Sequence, residues 1–246
     1  MFFKKKLAFT LAEVLITLGI IGIVAQATIP TLMVGADKKK LGVQNQKFVS
    51  EFDAGFKRIL LNTGCETMQC TGIYALTGQD FVDNYTQELK AVFKDVDVCT
   101  SSCEYDFLTE KTISGHDLTG WGYTRGTIVD PLYRIGESFV RVYSVPYLNN
   151  ASTGRTKWLA HFFVDINGHD KPNTYGKDIH WIHVSDYGAF FPDYGKDYCE
   201  TLYNVPYTSC SDYWKVNGTC DTTGGFSIGD GCMARIMENS WQFDFW

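Results

Sequence analysis

Apolar and polar positions divide the chain into regimes. From Phe9 to Ile29, twenty-one residues run with a single charge, Glu13, after the lysines Lys4, Lys5 and Lys6. At 1.5 Å per residue this is about 31 Å of helix, enough to cross a bilayer core. Beyond it the pattern turns amphipathic. Leu41, Phe48, Phe52, Phe56, Ile59 and Leu60 recur mostly three or four residues apart, with Lys47, Glu51, Asp53, Lys57 and Arg58 largely between them. The helix is therefore expected to emerge from the bilayer at Asp37-Lys38-Lys39-Lys40 and to lay one face on a globular head. Asn62-Thr63-Gly64 supplies its end, with Gly64 as C-cap. Such a helix from Phe9 to Asn62 is about 80 Å long. Gly19, Gly22, Pro30, Gly35 and Gly42 weaken it, and the missing N–H of Pro30 predicts a bend or local melting there.

Residues 71 to 98 predict a second, shorter helix, capped by Thr77 or Asp80, with Phe81, Tyr85, Leu89, Val92 and Phe93 as its apolar stripe. From about Ile113 the pattern changes to short β-prone runs, clearest at Phe139 to Val145, Trp158 to Ile166 and Ile179 to Val184. An antiparallel sheet laid on the long helix, an α+β architecture, is the economical arrangement. Asp186 to Gly231 read as long loops. Cys232 to Met237 and Trp241 to Trp246 read as a terminal strand pair or a short helix and strand whose aromatics close the core.

A basic leader, the small residue Ala8 and the run Phe9-Thr10-Leu11-Ala12-Glu13 open the apolar segment, and Pro30 follows it. This order resembles the N-terminus of type IV pilins and type II secretion pseudopilins, over about the first thirty residues. The resemblance implies cleavage by prepilin peptidase between Ala8 and Phe9 and N-methylation of Phe9. Glu13 then becomes the fifth residue of the mature chain and Pro30 the twenty-second, where the family usually has Glu and Pro. The family usually has Gly before the cut; Ala8 is small enough for the same pocket. The implied divisions are a leader at 1–8, a transmembrane and assembly helix at 9–30, its amphipathic continuation at 31–64 and an extracytoplasmic head at 65–246.

The implied location is the bacterial inner membrane, crossed once. The implied partners are other pilin or pseudopilin subunits in a type IV pilus or a type II secretion pseudopilus. Retention of Glu13 argues against a tip subunit that lacks it, and the large head favours a minor subunit. Independently of the resemblance, a carboxylate inside a spanning helix costs about 2.5 to 3.5 kcal/mol and calls for a partner. No Lys or Arg lies within the run; in the filament that the resemblance implies, the partner is the amine freed on Phe9 of a neighbouring subunit, setting axial register. Otherwise Glu13 reaches water near the interface or is protonated. The alternative is a conventional signal peptide: Met1 to Lys6 as basic region, Leu7 to Val24 as apolar region and Ala25-Gln26-Ala27 as cleavage site. It implies a secreted or surface binding protein such as an adhesin.

The 246 residues leave room for one head domain with a sizeable core. Net charge is −6, and loss of Met1 to Ala8 removes three Lys and no acid, leaving 19 basic against 28 acidic side chains, a net −9. So acidic a surface speaks against an extended grip on nucleic acid. Eight cysteines, Cys65, Cys70, Cys99, Cys103, Cys199, Cys210, Cys220 and Cys232, all follow the apolar segment. An even set placed there predicts disulfides in an oxidising compartment. Eight allow 105 pairings; short loops favour 65 with 70, 99 with 103, 199 with 210, and 220 with 232. Structural zinc is the alternative, but no Cys-x2-Cys pair is present.

Asp165 to Asp178, DINGHDKPNTYGKD, carries three turn signals and the oxygen ligands Asp165, Asn167, Asp170, Asn173 and Asp178. Calcium is the one cofactor these suggest, and none is required by the fold. The loop resembles calcium loops of some pseudopilin heads in kind but not in spacing, and it is no EF-hand. The competing reading has these Asn and Asp residues forming Asx turns. No enzyme signature is found: Gly-x-Ser-x-Gly, HExxH and phosphate-cradling glycine loops are absent. His180 and His183 fall three apart in an expected strand, on opposite faces, and His161 and His169 lack a third ligand.

Overall fold

A computed structural model describes residues 10–71, 78–99, 111–113, 115, 132–144, 158–185, 187–188, 190–192, 199–200, 220, 229 and 231–246. The chain falls into two units, Met1–Lys40 and Leu41–Trp246. The division lies inside the segment 31–64 that the sequence suggests as the amphipathic continuation.

The first unit holds the amino-terminal part of helix α1 (Leu11–Thr63). No residue from Leu11 to Lys40 is buried. The helix is continuous through Pro30, so of the bend or local melting expected there the melting does not occur. Proline removes the single N–H that would bond the Gln26 carbonyl, and the adjoining turns persist without it.

In the second unit α1 contributes its other part, with Leu41, Asn45, Phe48, Val49, Phe52, Phe56 and Ile59 buried. Four-residue spacing puts three phenylalanines in a row: the Phe48 and Phe52 rings are 5.0 Å apart, and those of Phe52 and Phe56 4.9 Å. Phe162 meets Phe52 edge-on at 5.3 Å. The helix ends as predicted, with Gly64 at φ 69° and the Cys65 N–H returning to the Leu60 carbonyl. Helix α2 (Gly78–Val92) packs Tyr85 and Leu89 into the same core. It stops short of residue 98, because Val96–Cys99 is a strand.

That strand, β1, opens a six-stranded sheet whose spatial order follows the chain, every pair antiparallel. The others are β2 (Leu132–Ile135), β3 (Ser138–Ser144), β4 (Trp158–Asp165), β5 (Ile179–Ser185) and β6 (Phe190–Pro192). One face presents Tyr133, Val140, Val142, Phe162, Val164, Ile182 and Val184 to the cluster that contains the α1 phenylalanines. The other buries Leu132, Phe139, Phe163, Ile179 and Trp181 with Tyr175. All seven residues of β5 are buried. The sheet is thus covered on both faces, which explains why its central strands read as apolar runs.

The tail forms helix α3 (Cys232–Glu238) and then an irregular segment, so the short helix is present and no strand follows it. Phe243 and Phe245 are buried with Leu41, Ile113 and Ile236. Two helical glycines of α1 allow close packing. A Cβ on Gly42 would lie 2.2 Å from the Trp241 carbonyl oxygen, and one on Gly55 would lie 2.1 Å from the Phe93 ring.

Truncating the central ring is expected to leave a cavity that this packing cannot close. Phe52→Ala should cost about 3–5 kcal/mol, read as a lower guanidinium midpoint with unchanged slope; a loss under about 1 kcal/mol would mean that the stripe is not central.

Candidate functional site

Two regions carry the residues singled out from the sequence: the amino-terminal part of α1 and the Asp165–Asp178 loop. Ala8 and Phe9 lie outside the described residues.

Glu13 sits in the first turn of α1, and its partner is local. Thr10 Oγ1 accepts from the Glu13 N–H at 3.2 Å and donates to Glu13 Oε2 at 2.8 Å, while the Thr10 N–H donates to the same Oε2 at 2.8 Å. This is a capping box, in which a threonine N-cap and a glutamate three residues later satisfy donors that a helix start leaves open. Thr10 is a residue the sequence reading passed over, although Thr-x-x-Glu before an apolar run is the signal for it. The carboxylate therefore sets the helix start, and both residues are exposed.

Further along, the apolar side chains of this unit face outward on all sides: Leu11 is 79% exposed, Ile23 71% and Leu32 71%. Among the described residues α1 is the one helix long and apolar enough to cross a membrane. Hydroxyls in the run are turned back onto the backbone, Thr17 to the Val14 carbonyl and Thr28 to the Val24 carbonyl, each at 2.9 Å.

The Asp165–Asp178 loop joins β4 to β5. Asp165 is fully buried, and its Oδ1 accepts from the N–H groups of Asn167 at 3.2 Å and Gly168 at 2.8 Å. Asp178, also fully buried, accepts from the Thr174 N–H at 2.7 Å on Oδ1 and the Asn173 N–H at 2.8 Å on Oδ2. These are Asx-type contacts that hold the turns. Burial raises the Asp178 pKa to about 6, against the opposing pull of these hydrogen bonds. Asp170 is exposed. Asn167 Oδ1 and Asn173 Oδ1 are buried and take no hydrogen bond among the described residues. No three His, Cys, Asp or Glu side chains among the described residues are grouped to hold a metal ion.

The loop is tied into the second unit from several sides. The Lys177 carbonyl accepts from Asn45 Nδ2 of α1 at 3.3 Å and from His180 Nε2 at 3.0 Å. The Lys177 ammonium lies 4.0 Å from the centre of the Trp246 ring. A Cβ on Gly176, where φ is 93°, would come within 2.8 Å of Cys232 Sγ.

Cys65–Cys70 and Cys220–Cys232 are disulfides, two pairs of the short-loop arrangement. Cys99 and Cys199 are disulfide-bonded as well; Cys103 and Cys210 lie outside the described residues. Zinc at the first pair is thereby excluded, since a disulfide sulfur has no thiolate to offer a metal.

His180 and His183 lie on β5 as expected, His180 on the face that carries Ile182 and His183 on the opposite one. Both are kept neutral by burial, their pKa values pushed down to about 4 and about 3. His169 is exposed, its ring edge-on to Phe139 at 5.1 Å. The side chain of His161 is outside the description.

The chain matches no protein-family model, no curated protein and no solved structure.

Two predictions follow from the loop and the strand it feeds. With both buried carboxylates engaged by backbone N–H groups, calcium is expected to leave the melting temperature unchanged, compared with and without a chelator; a calcium-dependent rise would instead mean that the folded chain binds the ion. The second concerns acid. Between about pH 4 and 6 unfolding lets His180 and His183 each take up a proton, so their contribution is present above the unfolded value near 6.5 and lost as pH falls. Asp178, protonated in the folded state below about 6, works the other way and releases one. The net uptake of about one proton makes stability fall by about 1.4 kcal/mol per pH unit from these three groups. His183→Leu should flatten that slope and Asp178→Asn should about double it, measured by denaturant unfolding across this range.

Proposed function

We propose that this chain is a pilin-like or pseudopilin structural subunit whose amino-terminal helix anchors it in the inner membrane and then packs against its neighbours in a filament. The observation that carries this reading is the surface of α1 from Leu11 to Val34. Its apolar side chains are exposed all round, with one acidic residue, Glu13, in the first turn. A helix apolar on every side is stable either in lipid or against other helices. A membrane segment that leaves lipid for a filament core must suit both environments.

In this reading prepilin peptidase cuts between Ala8 and Phe9, and Glu13 pairs with the Phe9 amine of the next subunit. The disulfides fit a head exported to an oxidising compartment. The role is structural rather than enzymatic, and the head size favours a minor subunit. Pilus and secretion pseudopilus make the same demands on α1.

Intact mass and amino-terminal sequencing of the protein from membranes of its own host test the proposal. A start at N-methylated Phe9 is expected, and Glu13→Ala should abolish filament incorporation while processing continues. A start at Thr28, after Ala27, would remove most of the exposed apolar surface and overturn the filament reading in favour of an exported binding protein.

A further inference from the structure

The unbroken apolar run of α1 gives way after Val34, where Gly35, Ala36 and Asp37 lead directly to Lys38, Lys39 and Lys40. Lys39 and Lys40 are exposed and Lys38 is half-buried. Consecutive helical residues are about 100° apart, so three lysines in a row distribute positive charge around roughly 200° of the helix within about 3 Å along its axis. From Val34 to Lys38 is one turn, about 6 Å, which is the thickness of one headgroup layer. Long lysine stems can also bend along the helix to bring the ammonium to that level.

Orientation does not account for this cluster. A bias of Lys and Arg toward one side of a membrane sets topology. Here Lys4, Lys5 and Lys6 stand at one end of the apolar segment and Lys38, Lys39 and Lys40 at the other, offset only by Asp37. The second triplet weakens the bias that the first provides. It also stands out in a chain of net charge −6.

We propose that Lys38, Lys39 and Lys40 form a basic collar that binds anionic phospholipid headgroups in the leaflet facing the globular unit and fixes the depth of α1 in the bilayer. The inference rests on the membrane-spanning reading of that helix. Each ammonium supplies donors for lipid phosphate oxygens, and the collar gathers acidic lipid around the helix by screened, salt-sensitive attraction. Leu11 to Val34 makes about 36 Å of helix, longer than a core of about 30 Å. The collar then defines which end is held at the interface while the excess is taken up by tilt.

The test uses the full-length chain reconstituted into phosphatidylcholine vesicles containing a minority of phosphatidylglycerol. Spin-labelled phosphatidylglycerol and spin-labelled phosphatidylcholine are compared for the motionally restricted fraction at the protein surface. A preference for phosphatidylglycerol of roughly five-fold is expected. It should fall to near parity in K38Q/K39Q/K40Q and in molar salt, and largely persist in K4Q/K5Q/K6Q. A preference that survives K38Q/K39Q/K40Q, or is absent from the unaltered chain while restricted lipid is still seen, overturns the collar and leaves the membrane helix standing. Failure of the chain to float with vesicles, with no restricted lipid for either label, overturns the membrane reading itself. If K38Q/K39Q/K40Q instead abolishes self-association in detergent without altering lipid preference, the lysines serve a second copy of the chain and the lipid proposal falls.

Discussion

Of three phenylalanines spaced four residues apart on α1, Phe52 and Phe56 lie against Phe162 at the middle of the sheet, and the elements of the globular unit are placed by reference to this stripe. Phe48, Phe52 and Phe56 share one cluster with Tyr85 and Leu89 of α2, with the inner face of β2 to β5, and with Met233 of α3. The helix is held there by more than apolar contact. Asn45 reaches the Lys177 carbonyl, and Asp53 Oδ1 accepts from the Phe190 N–H of β6 at 3.0 Å. Polar side chains at the flanks of an apolar stripe fix where along the helix the sheet sits, which burial alone leaves free to slide.

The loop between β4 and β5 does for the other face what the stripe does for the first. Asp165 and Asp178 hold its turns from within, and the Lys177 carbonyl joins it to α1 and to His180. Its backbone passes so close to Cys232 that only glycine fits at Gly176. Asp165 and Asp178, which read as oxygen ligands in the linear sequence, support this buried connection from within. The buried Asp178 in the loop and the two neutral histidines of β5 make this part of the unit sensitive to protonation in opposite directions.

Much of this was legible in the sequence where a period repeats several times. The stripe from Leu41 to Ile59, the helix end at Gly64 and the strands β3, β4 and β5 each rest on long runs with one reading. Short elements escaped. The strands β1 and β2 are four residues each and β6 three, too brief for alternation to declare itself. Val96–Cys99 was absorbed into the helix before it because Val92 and Phe93 carry the apolar pattern up to its edge. Gly42 reverses its apparent meaning, since what looks like weakness in a helix is the place where Trp241 comes in close, as Phe93 does at Gly55. Glu13 was visible as an anomalous charge, but its bond to Thr10 needed attention to three-residue spacing rather than to hydropathy.

The two defined disulfides join cysteines five and twelve residues apart in the chain. Closing loops so short is fast, on the order of 10–100 ns for about ten residues, and each bond restricts the unfolded chain by only about 2 to 3 kcal/mol. Neither bond has to wait for distant segments to meet. The chain can thus oxidise one hairpin-sized piece at a time, while the sheet that joins residues from Val96 to Pro192 is still incomplete. Mispaired sulfurs become a kinetic risk chiefly where two such pieces are exposed together, so the spacing of cysteines along the chain acts as a schedule for their oxidation.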